Sequence, residues 1–302
     1  LIGKDIPAET VKSIVTSLEM EIVKEDAEGI LLSVPAYRVD VQRPCDVVED
    51  ILRIYGYNNI EIPSTVKSSL SVKGEADKSH KLQNLIAEQL VGCGFHEILN
   101  NSLQKISYYA SGAQQTYKEE NCVRLLNPLS QDLSVLRQSL LFGGLESIAR
   151  NSAHRMPDQR MFEFGNCYHY NAQKIADRQA KDPHWTYDPL YAYSEEPHLA
   201  LWLTGNKSTQ SWVQKEEKTS FYTLRAYVNN VLRRLGVNID NCLLEPLESE
   251  LCADGLVIKS PNGKQIGMMG VVNSKLLKVF DIDNPVYYAD LDWSMLMKLN
   301  KQ

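Results

Sequence analysis

The tripeptide Pro261-Asn262-Gly263 constrains this chain most, because it lies between two apolar runs and marks a tight turn. The runs cover about 255–259 and 265–272, so the sequence predicts an antiparallel β-hairpin there. Further strands are predicted over 30–34, 97–103, 160–170, 198–204 and 286–292. Apolar residues recur at helical spacing near 7–18, 46–55, 78–91, 140–148 and 223–235. Short helices among hairpin-linked strands indicate an α+β fold with an antiparallel sheet.

The chain is expected to form two units. Residues 63–77 are poor in large apolar side chains and rich in Ser, Lys and Gly, which is typical of a linker. We therefore expect one unit over residues 1–66 and a second over 67–302. The stretch 171–196 shows no clear apolar period and is predicted to be an exposed excursion between strands. Because the chain begins with Leu1 rather than Met, we expect a piece of a longer protein.

Composition excludes several classes of protein. No run of about 18 apolar residues exists, so the sequence predicts no membrane-spanning segment and no membrane partner. The six cysteines are scattered without a Cys-x-x-Cys pair, which argues against a zinc site and indicates reduced thiols in a cytoplasmic protein. The net charge of −6 argues against a surface that binds nucleic acid as a whole, although a local basic patch stays open.

Four carboxylates form the sharpest chemical feature. Asp46, Glu49 and Asp50 fall on one face of a predicted helix. Asp40 lies in the turn before this helix and can fold back to the same point. Gathered carboxylates repel one another, and a hard cation such as Mg2+ prefers oxygen ligands. Alternatively, Asp46 and Glu49 have capping-box spacing and Arg53 supplies a positive charge, so from spacing alone the capping interpretation is favoured.

Several runs resemble a known family. Val34-Pro-Ala-Tyr-Arg-Val-Asp40 and Asp46-Val-Val-Glu-Asp-Ile-Leu-Arg-Ile-Tyr-Gly-Tyr57 resemble the B5 module of the bacterial phenylalanyl-tRNA synthetase β chain. Four later runs resemble that chain's catalytic-like module, in the family's order: Gly92-Cys-Gly-Phe-His-Glu97, Leu126-Asn-Pro-Leu-Ser130, Leu136-Arg-Gln-Ser-Leu140 and Phe162-Glu-Phe-Gly165. The resemblance covers essentially the whole chain. It implies a small winged-helix-like module followed by a class II synthetase-like antiparallel sheet flanked by helices.

The resemblance also implies a metal site. In the family, acidic residues at the positions of Asp40, Asp46, Glu49 and Asp50 are assigned to a magnesium ion that is shared with the α subunit. This assignment reverses the preference for a cap. The family usually has Glu where this chain has Asp50. Because Asp is one methylene shorter, direct ligation is least expected at that position, where a bridging water could close the gap.

The partners implied by the resemblance are the α subunit, in an α2β2 tetramer, and tRNA(Phe) in the full assembly. The smaller α subunit of the family bears the phenylalanine and ATP site. The family's N-terminal tRNA-binding and editing modules and its C-terminal anticodon-binding module have no counterpart in these residues, so we expect no editing of misacylated tRNA. The predicted helix 78–91 and the strand after it are the expected partner-facing elements, although their apolar stripe is equally consistent with core packing.

No catalytic residue is expected in the second unit. Adenylate formation needs cationic groups on the ATP phosphates, and class II enzymes take one Arg from a strand and another near the end of the domain. Arg160 with Glu163 loosely resembles the first, although a strand Arg paired with a neighbouring acid is the simpler interpretation. The 68 residues after Arg234 contain no arginine, and Gly267 and Gly270 are the glycines near the expected place.

We therefore expect part of the non-catalytic β subunit of phenylalanine–tRNA ligase. It would position the catalytic α subunit for the ATP-dependent attachment of phenylalanine to its tRNA, and share a magnesium ion with it. Two alternatives stay open. The chain could itself be an active class II-like ligase, or its winged-helix-like unit could be a nucleic-acid-binding module.

Overall fold

The structure is a computed structural model that describes residues 1–27, 29–62, 64–65, 74–110, 116–182 and 184–300. The chain divides into two compact units, Leu1–Val72 and Lys73–Gln302. The expected boundary between residues 66 and 67 lies outside the described residues, as does most of the predicted linker. Among the described residues, no helix combines the length and apolar character needed to cross a membrane.

The first unit is built from two helices and a hairpin. Its elements are α1 (Ala8–Ser17), β1 (Glu21–Asp26), β2 (Gly29–Ser33) and α2 (Pro44–Tyr55). Strands β1 and β2 pair antiparallel. A small core joins the elements, and its buried residues are Ile14, Val15, Met20, Val41 and Ile51. The burial of Ile51 fits the apolar face predicted for α2, because a helix with one apolar side turns that side toward the core.

The second unit is larger and contains a seven-stranded sheet. Its helices are α3 (Glu75–Gly92), α4 (Ser107–Ala110), α5 (Leu141–Ala153), α6 (Gln173–Lys181), α7 (Phe221–Arg234), α8 (Ser274–Val279) and α9 (Trp293–Leu299). Its strands are β3 (His96–Glu97), β4 (Leu103–Gln104), β5 (Val135–Leu136), β6 (Gln159–Tyr170), β7 (Tyr193–Thr204), β8 (Asn206–Ser208), β9 (Glu217–Lys218), β10 (Leu243–Pro246), β11 (Cys252–Lys259), β12 (Gln265–Val272) and β13 (Val286–Asp292).

The sheet is almost entirely antiparallel. Its strand order is β10-β11-β12-β13-β7-β6-β3, and only the short edge pair β3–β6 is parallel. The predicted hairpin is confirmed: β11 and β12 pair antiparallel around a turn in which Gly263 has a φ of 75°. Two short antiparallel pairs, β4–β5 and β8–β9, lie outside this sheet.

Each face of the sheet carries its own core. On one face, α3, α7 and α9 pack against Phe162 of β6 and the odd-numbered leucines of β7. On the other face, α5 and α8 pack against residues that include Met161, Trp202 and Tyr288. The prediction of an α+β fold with an antiparallel sheet flanked by helices is confirmed.

Some predicted elements are wrong in extent. The expected strand 97–103 is interrupted. The backbone N–H and the side-chain amide of Asn100 both donate to the Glu163 carboxylate, and the Asn101 side chain accepts a hydrogen bond from the N–H of Leu103. The excursion 171–196 contains α6, whose few apolar residues give no visible period, and β7 begins at Tyr193 rather than at 198. Strand β1 and helix α9 were not predicted.

Candidate functional site

Helix α2 begins with a cap that uses Asp46. Pro44 takes the first helical position, and Asp46 is the third residue of the helix. One oxygen of Asp46 accepts the backbone N–H groups of Gln42, at 3.1 Å, and of Arg43, at 2.8 Å. These backbone bonds, with the Arg43 guanidinium, lower the pKa of Asp46 to about 2. Asp46 therefore closes the capping box from inside the helix, whereas the sequence suggested a box between Asp46 and Glu49.

Glu49 is paired one turn further along the helix. Its Oε1 accepts a bond of 2.7 Å from Arg53, and both side chains are more than half exposed. The sequence suggested that Arg53 neutralises the four carboxylates together, but its guanidinium donates to Glu49. The pair is an ordinary i, i+4 surface ion pair.

Asp40 and Asp50 converge on Arg38. One guanidinium nitrogen of Arg38 lies 2.6 Å from Asp50 and 3.7 Å from Asp40. The Asp50 side chain is 16% exposed, whereas the Asp40 side chain is 71% exposed. The hydrogen bond from Arg38 and the charge of Asp50 raise the pKa of Arg38, so this position holds a firmly charged cation.

The structure gives the four carboxylates different partners. The structure brings Asp40 and Asp50 to a common cation position, which Arg38 fills, while Asp46 serves the cap and Glu49 pairs with Arg53. Across the described parts of the chain, no group of three or more His, Cys, Asp or Glu side chains is placed to hold a metal ion. Oxygen ligands of the type that Mg2+ prefers are present, but their arrangement as folded does not fit four-ligand binding.

In the second unit, Arg160 and Glu163 lie on opposite faces of β6, since side chains three residues apart in a strand point to opposite sides. Arg160 donates to the carbonyl oxygen of Cys93 at 3.0 Å, to the hydroxyl of Tyr227 at 3.5 Å and to the carbonyl oxygen of Lys207. The expected pairing of Arg160 with a neighbouring acid is therefore wrong. The guanidinium joins three chain segments through neutral acceptors.

Glu163 belongs to a buried network that sequence reasoning missed. Its carboxylate accepts bonds from Arg137 at 2.7 Å and from the Asn100 side chain at 2.8 Å, with exposed fractions of 1% for Glu163 and 5% for Arg137. Arg137 also donates to the carbonyl oxygens of Asn166 and Asn100. Because every charged group has a partner, the network ties β6 to the segments before β4 and after β5. Its sequence signal is the acid Glu163 between two phenylalanines, Phe162 and Phe164.

The rest of this sheet face is filled by large side chains. Trp202 and Tyr288 are fully buried there. A Cβ atom at Gly144 of α5 would lie 2.1 Å from the Trp202 ring, so only glycine lets the helix approach. Packing rather than phosphate binding also explains Gly267 and Gly270, where a Cβ would meet the carbonyl oxygens of neighbouring strands at 2.3 and 2.8 Å.

A histidine, His198, forms a second hydrogen-bonded group on the same face of the sheet. His198 Nδ1 is 2.6 Å from one oxygen of Asp290, and the Tyr288 hydroxyl donates to the other at 2.8 Å. Burial lowers the pKa of His198, but Asp290, Asp292 and Glu196 outweigh burial and leave that pKa raised. Sequence spacing gives His198 no partner, because Asp290 lies 92 residues away in the chain.

Comparisons with known proteins extend over both units. Residues 62–293 match the family described as "Phenylalanyl tRNA synthetase beta chain CLM domain", and residues 1–57 match "tRNA synthetase B5 domain". The chain is 57% identical to the phenylalanine–tRNA ligase beta subunit of Bacteroides fragilis over 298 residues, which cover 99% of this chain and 35% of the relative. The beta subunit of Porphyromonas gingivalis is 42% identical and that of Chlorobaculum tepidum 28% identical, at 98% and 94% coverage of this chain and 35% and 34% of the relatives.

The chain spans about a third of the length of the curated relatives it matches. Among solved structures, a pyrrolysyl tRNA synthetase from Desulfitobacterium hafniense is similar with a TM-score of 0.49 and 17% identity. That similarity covers 72% of this chain and 67% of the other.

Proposed function

Since this chain belongs to the phenylalanyl-tRNA synthetase β chain family, we propose that it acts as part of the non-catalytic β subunit of a phenylalanine–tRNA ligase. In that role it positions the catalytic α subunit, in an α2β2 tetramer, for the ATP-dependent attachment of phenylalanine to tRNA(Phe). The compartment that suits this role is the cytoplasm.

One observation carries the non-catalytic assignment. The sheet face that holds Glu163 is closed by the buried Arg137 pair and by Trp202 and Tyr288. Adenylate formation requires cationic groups that can reach phosphates, and Arg137 is 5% exposed and already bonded to a carboxylate. Arg160 is engaged by three chain segments on the opposite face. Neither arginine is free to bind ATP, which supports a scaffold rather than a ligase active site.

The alternative of a nucleic-acid-binding first unit finds less support. Residues 1–72 hold seven Lys and Arg against 12 Asp and Glu, a net charge of −5, whereas residues 73–302 hold 25 against 26. A surface of that charge repels phosphate backbones. The acidic first unit suits a protein partner better than DNA or tRNA.

We place any magnesium ion at Asp40, Asp46, Glu49 and Asp50 in the assembled enzyme only. In the isolated chain the arginines already neutralise these carboxylates, so an added cation would have to displace Arg38 from Asp50. A partner subunit that gives Arg38 another acceptor would free the two aspartates. Calorimetric titration of the chain with MgCl2 is therefore expected to show no saturable binding without the α subunit, and saturable binding with it.

Light scattering on the chain, alone and mixed with the cognate α subunit, tests the scaffold role. A stable complex whose mass includes both chains is expected, and replacing Asp40 and Glu49 by Ala should weaken it. Glu9→Ala serves as the matched control, because Glu9 is an exposed acid on α1 of the same unit. Failure to form any complex, with or without magnesium, would reject the scaffold role. Phenylalanine-dependent ATP–pyrophosphate exchange by the chain alone would establish the ligase alternative instead.

A further inference from the structure

A groove runs beside β2 in the first unit. It has a volume of about 310 Å3 and lies between β2, the segment after it and the start of α2. Apolar side chains dominate its lining, among them Ile30, Leu32, Val34, Val41 and Val47. A cavity of this size accommodates a few aliphatic side chains but is at the small end of the range for organic ligands.

The strand edge along this groove is open. Within the described residues, β2 pairs with β1 alone, and its main-chain groups make no other backbone hydrogen bond. Natural edge strands usually carry Lys or Pro to block pairing with another strand. The sequence Gly29-Ile-Leu-Leu-Ser33 has neither, and Leu31 is 59% exposed. Unpaired N–H and C=O groups beside an apolar groove are recognised by an extended polypeptide that adds a strand.

The charges on and around the groove indicate which side chains the bound polypeptide should carry. Among the described residues that line the groove, Arg43 is the only charged one. Its side chain is 75% exposed and bonds Asp46 through a single nitrogen. Its remaining N–H groups can bind a carboxylate. The first unit as a whole carries a net charge of −5, which repels a second copy and any strongly acidic segment. The complementary segment therefore has one carboxylate and is otherwise neutral or basic.

We propose that β2 and this groove bind an extended segment of a partner polypeptide, which adds as a third strand, places apolar side chains in the groove and sets one carboxylate against Arg43. The interaction does not depend on the proposed scaffold role. It uses the start of α2, where Arg43 bonds Asp46, and not the position between Asp40 and Asp50 that Arg38 occupies.

The test uses a fluorescently labelled, acetylated and amidated peptide of alternating valine and threonine, with one central aspartate and a lysine at each end. Fluorescence anisotropy against the full chain is expected to show saturable binding. Leu31→Lys should weaken it by about tenfold, because a charge on the edge blocks pairing and groove contact. Val23→Lys is the matched control, since Val23 of β1 is also 59% exposed, and it should leave the affinity unchanged.

Reversing the charge at Arg43 tests whether this residue binds the carboxylate of the peptide. Arg43→Glu should weaken binding of the aspartate peptide by about threefold to tenfold and favour a peptide with lysine in that position. Arg53→Glu also breaks one exposed ion pair on α2 but lies outside the groove lining, so it should change neither affinity. Thermal unfolding of all four variants verifies that each remains folded.

Hydrogen exchange separates strand addition from simple groove contact. Bound peptide should slow exchange of the β2 amides that do not pair with β1. The proposal is overturned if no peptide of this composition binds saturably, if Leu31→Lys and Val23→Lys lose affinity equally, or if the β2 amides exchange at the free rate. A concentration-dependent increase in mass that Leu31→Lys abolishes would assign the edge to a second copy and would equally overturn the proposal.

Discussion

Each unit contains an Arg–Glu ion pair, which is exposed in the first unit and buried in the second. On α2 the Arg53–Glu49 pair lies at the surface, where water and salt screen the attraction. In the second unit the Arg137–Glu163 pair is almost completely buried and shares its acceptors with Asn100. Since the lower dielectric of the interior strengthens attraction and also penalises any unpaired charge, removing one member of the buried pair should destabilise the fold far more than removing one member of the surface pair.

The largest expected effect comes from breaking the buried pair. Glu163→Ala should lower the free energy of unfolding by about 3–5 kcal/mol, because Arg137 is left charged and buried without its carboxylate. Urea unfolding of the full chain measures this loss. The double variant Glu163→Leu with Arg137→Met removes both charges and should recover most of the stability. A single-variant loss below about 1 kcal/mol would remove the contrast between the two units.

Crowding the same pair should have a smaller effect. A Cβ at Gly165 would lie 2.3 Å from an Arg137 nitrogen and 2.8 Å from Leu140, so Gly165→Ala must push the guanidinium away from Glu163. The expected cost is about 1–3 kcal/mol in the same unfolding experiment. Gly92→Ala is the control, because no atom of the described residues lies within 4 Å of a Cβ there. Equal stability of the two variants would show that Arg137 moves freely.

Two histidines of the second unit, His198 and His169, should make the stability of the fold change with pH in opposite directions. The raised pKa of His198 means that its contribution is complete below 6.5 and is lost as pH rises through the folded-state value. Burial lowers the pKa of His169, so its contribution is complete above 6.5 and is lost as pH falls. Each slope stays below about 1.4 kcal/mol per pH unit, the limit for one proton. Chemical unfolding between pH 5 and 8 measures both.

Substitution separates the two histidines. His198→Gln should remove the decrease of stability toward high pH, and His169→Gln should remove the decrease toward low pH. Slopes of the same sign in the two variants would contradict the assigned directions.

The smallest effects are expected on α2. Arg53→Gln should leave the thermal midpoint unchanged within error, because the pair it breaks is exposed and screened.

Asp46→Asn should change how the stability of the chain depends on pH. The lowered pKa of Asp46 stabilises the fold above 3.8 and ceases to do so as pH falls toward 2. Thermal unfolding between pH 2 and 5 should therefore show a shallower acid decline in the variant than in the parent chain.

Much of the fold could be predicted because it depends on local patterns. The turn at Pro261-Asn262-Gly263, the strand 286–292 and the helices near 141–153 and 221–234 follow from turn chemistry and apolar periodicity. The interruption of the predicted strand 97–103 could not be predicted, since Asn100 bonds Glu163, which lies 63 positions away in the chain. Helix α6 was missed because it buries too little apolar surface to leave a pattern.

The candidate site, like the fold, was predictable only in part. The sequence alone placed four carboxylates around α2 and indicated that Arg53 would lie among them. Only the tertiary structure decided which arginine each carboxylate contacts and that Arg38 occupies the position between Asp40 and Asp50. Spacing along a helix fixes which side chains share a face. Which partner each one meets depends on loops and strands that return from elsewhere in the chain, and such contacts leave no local pattern.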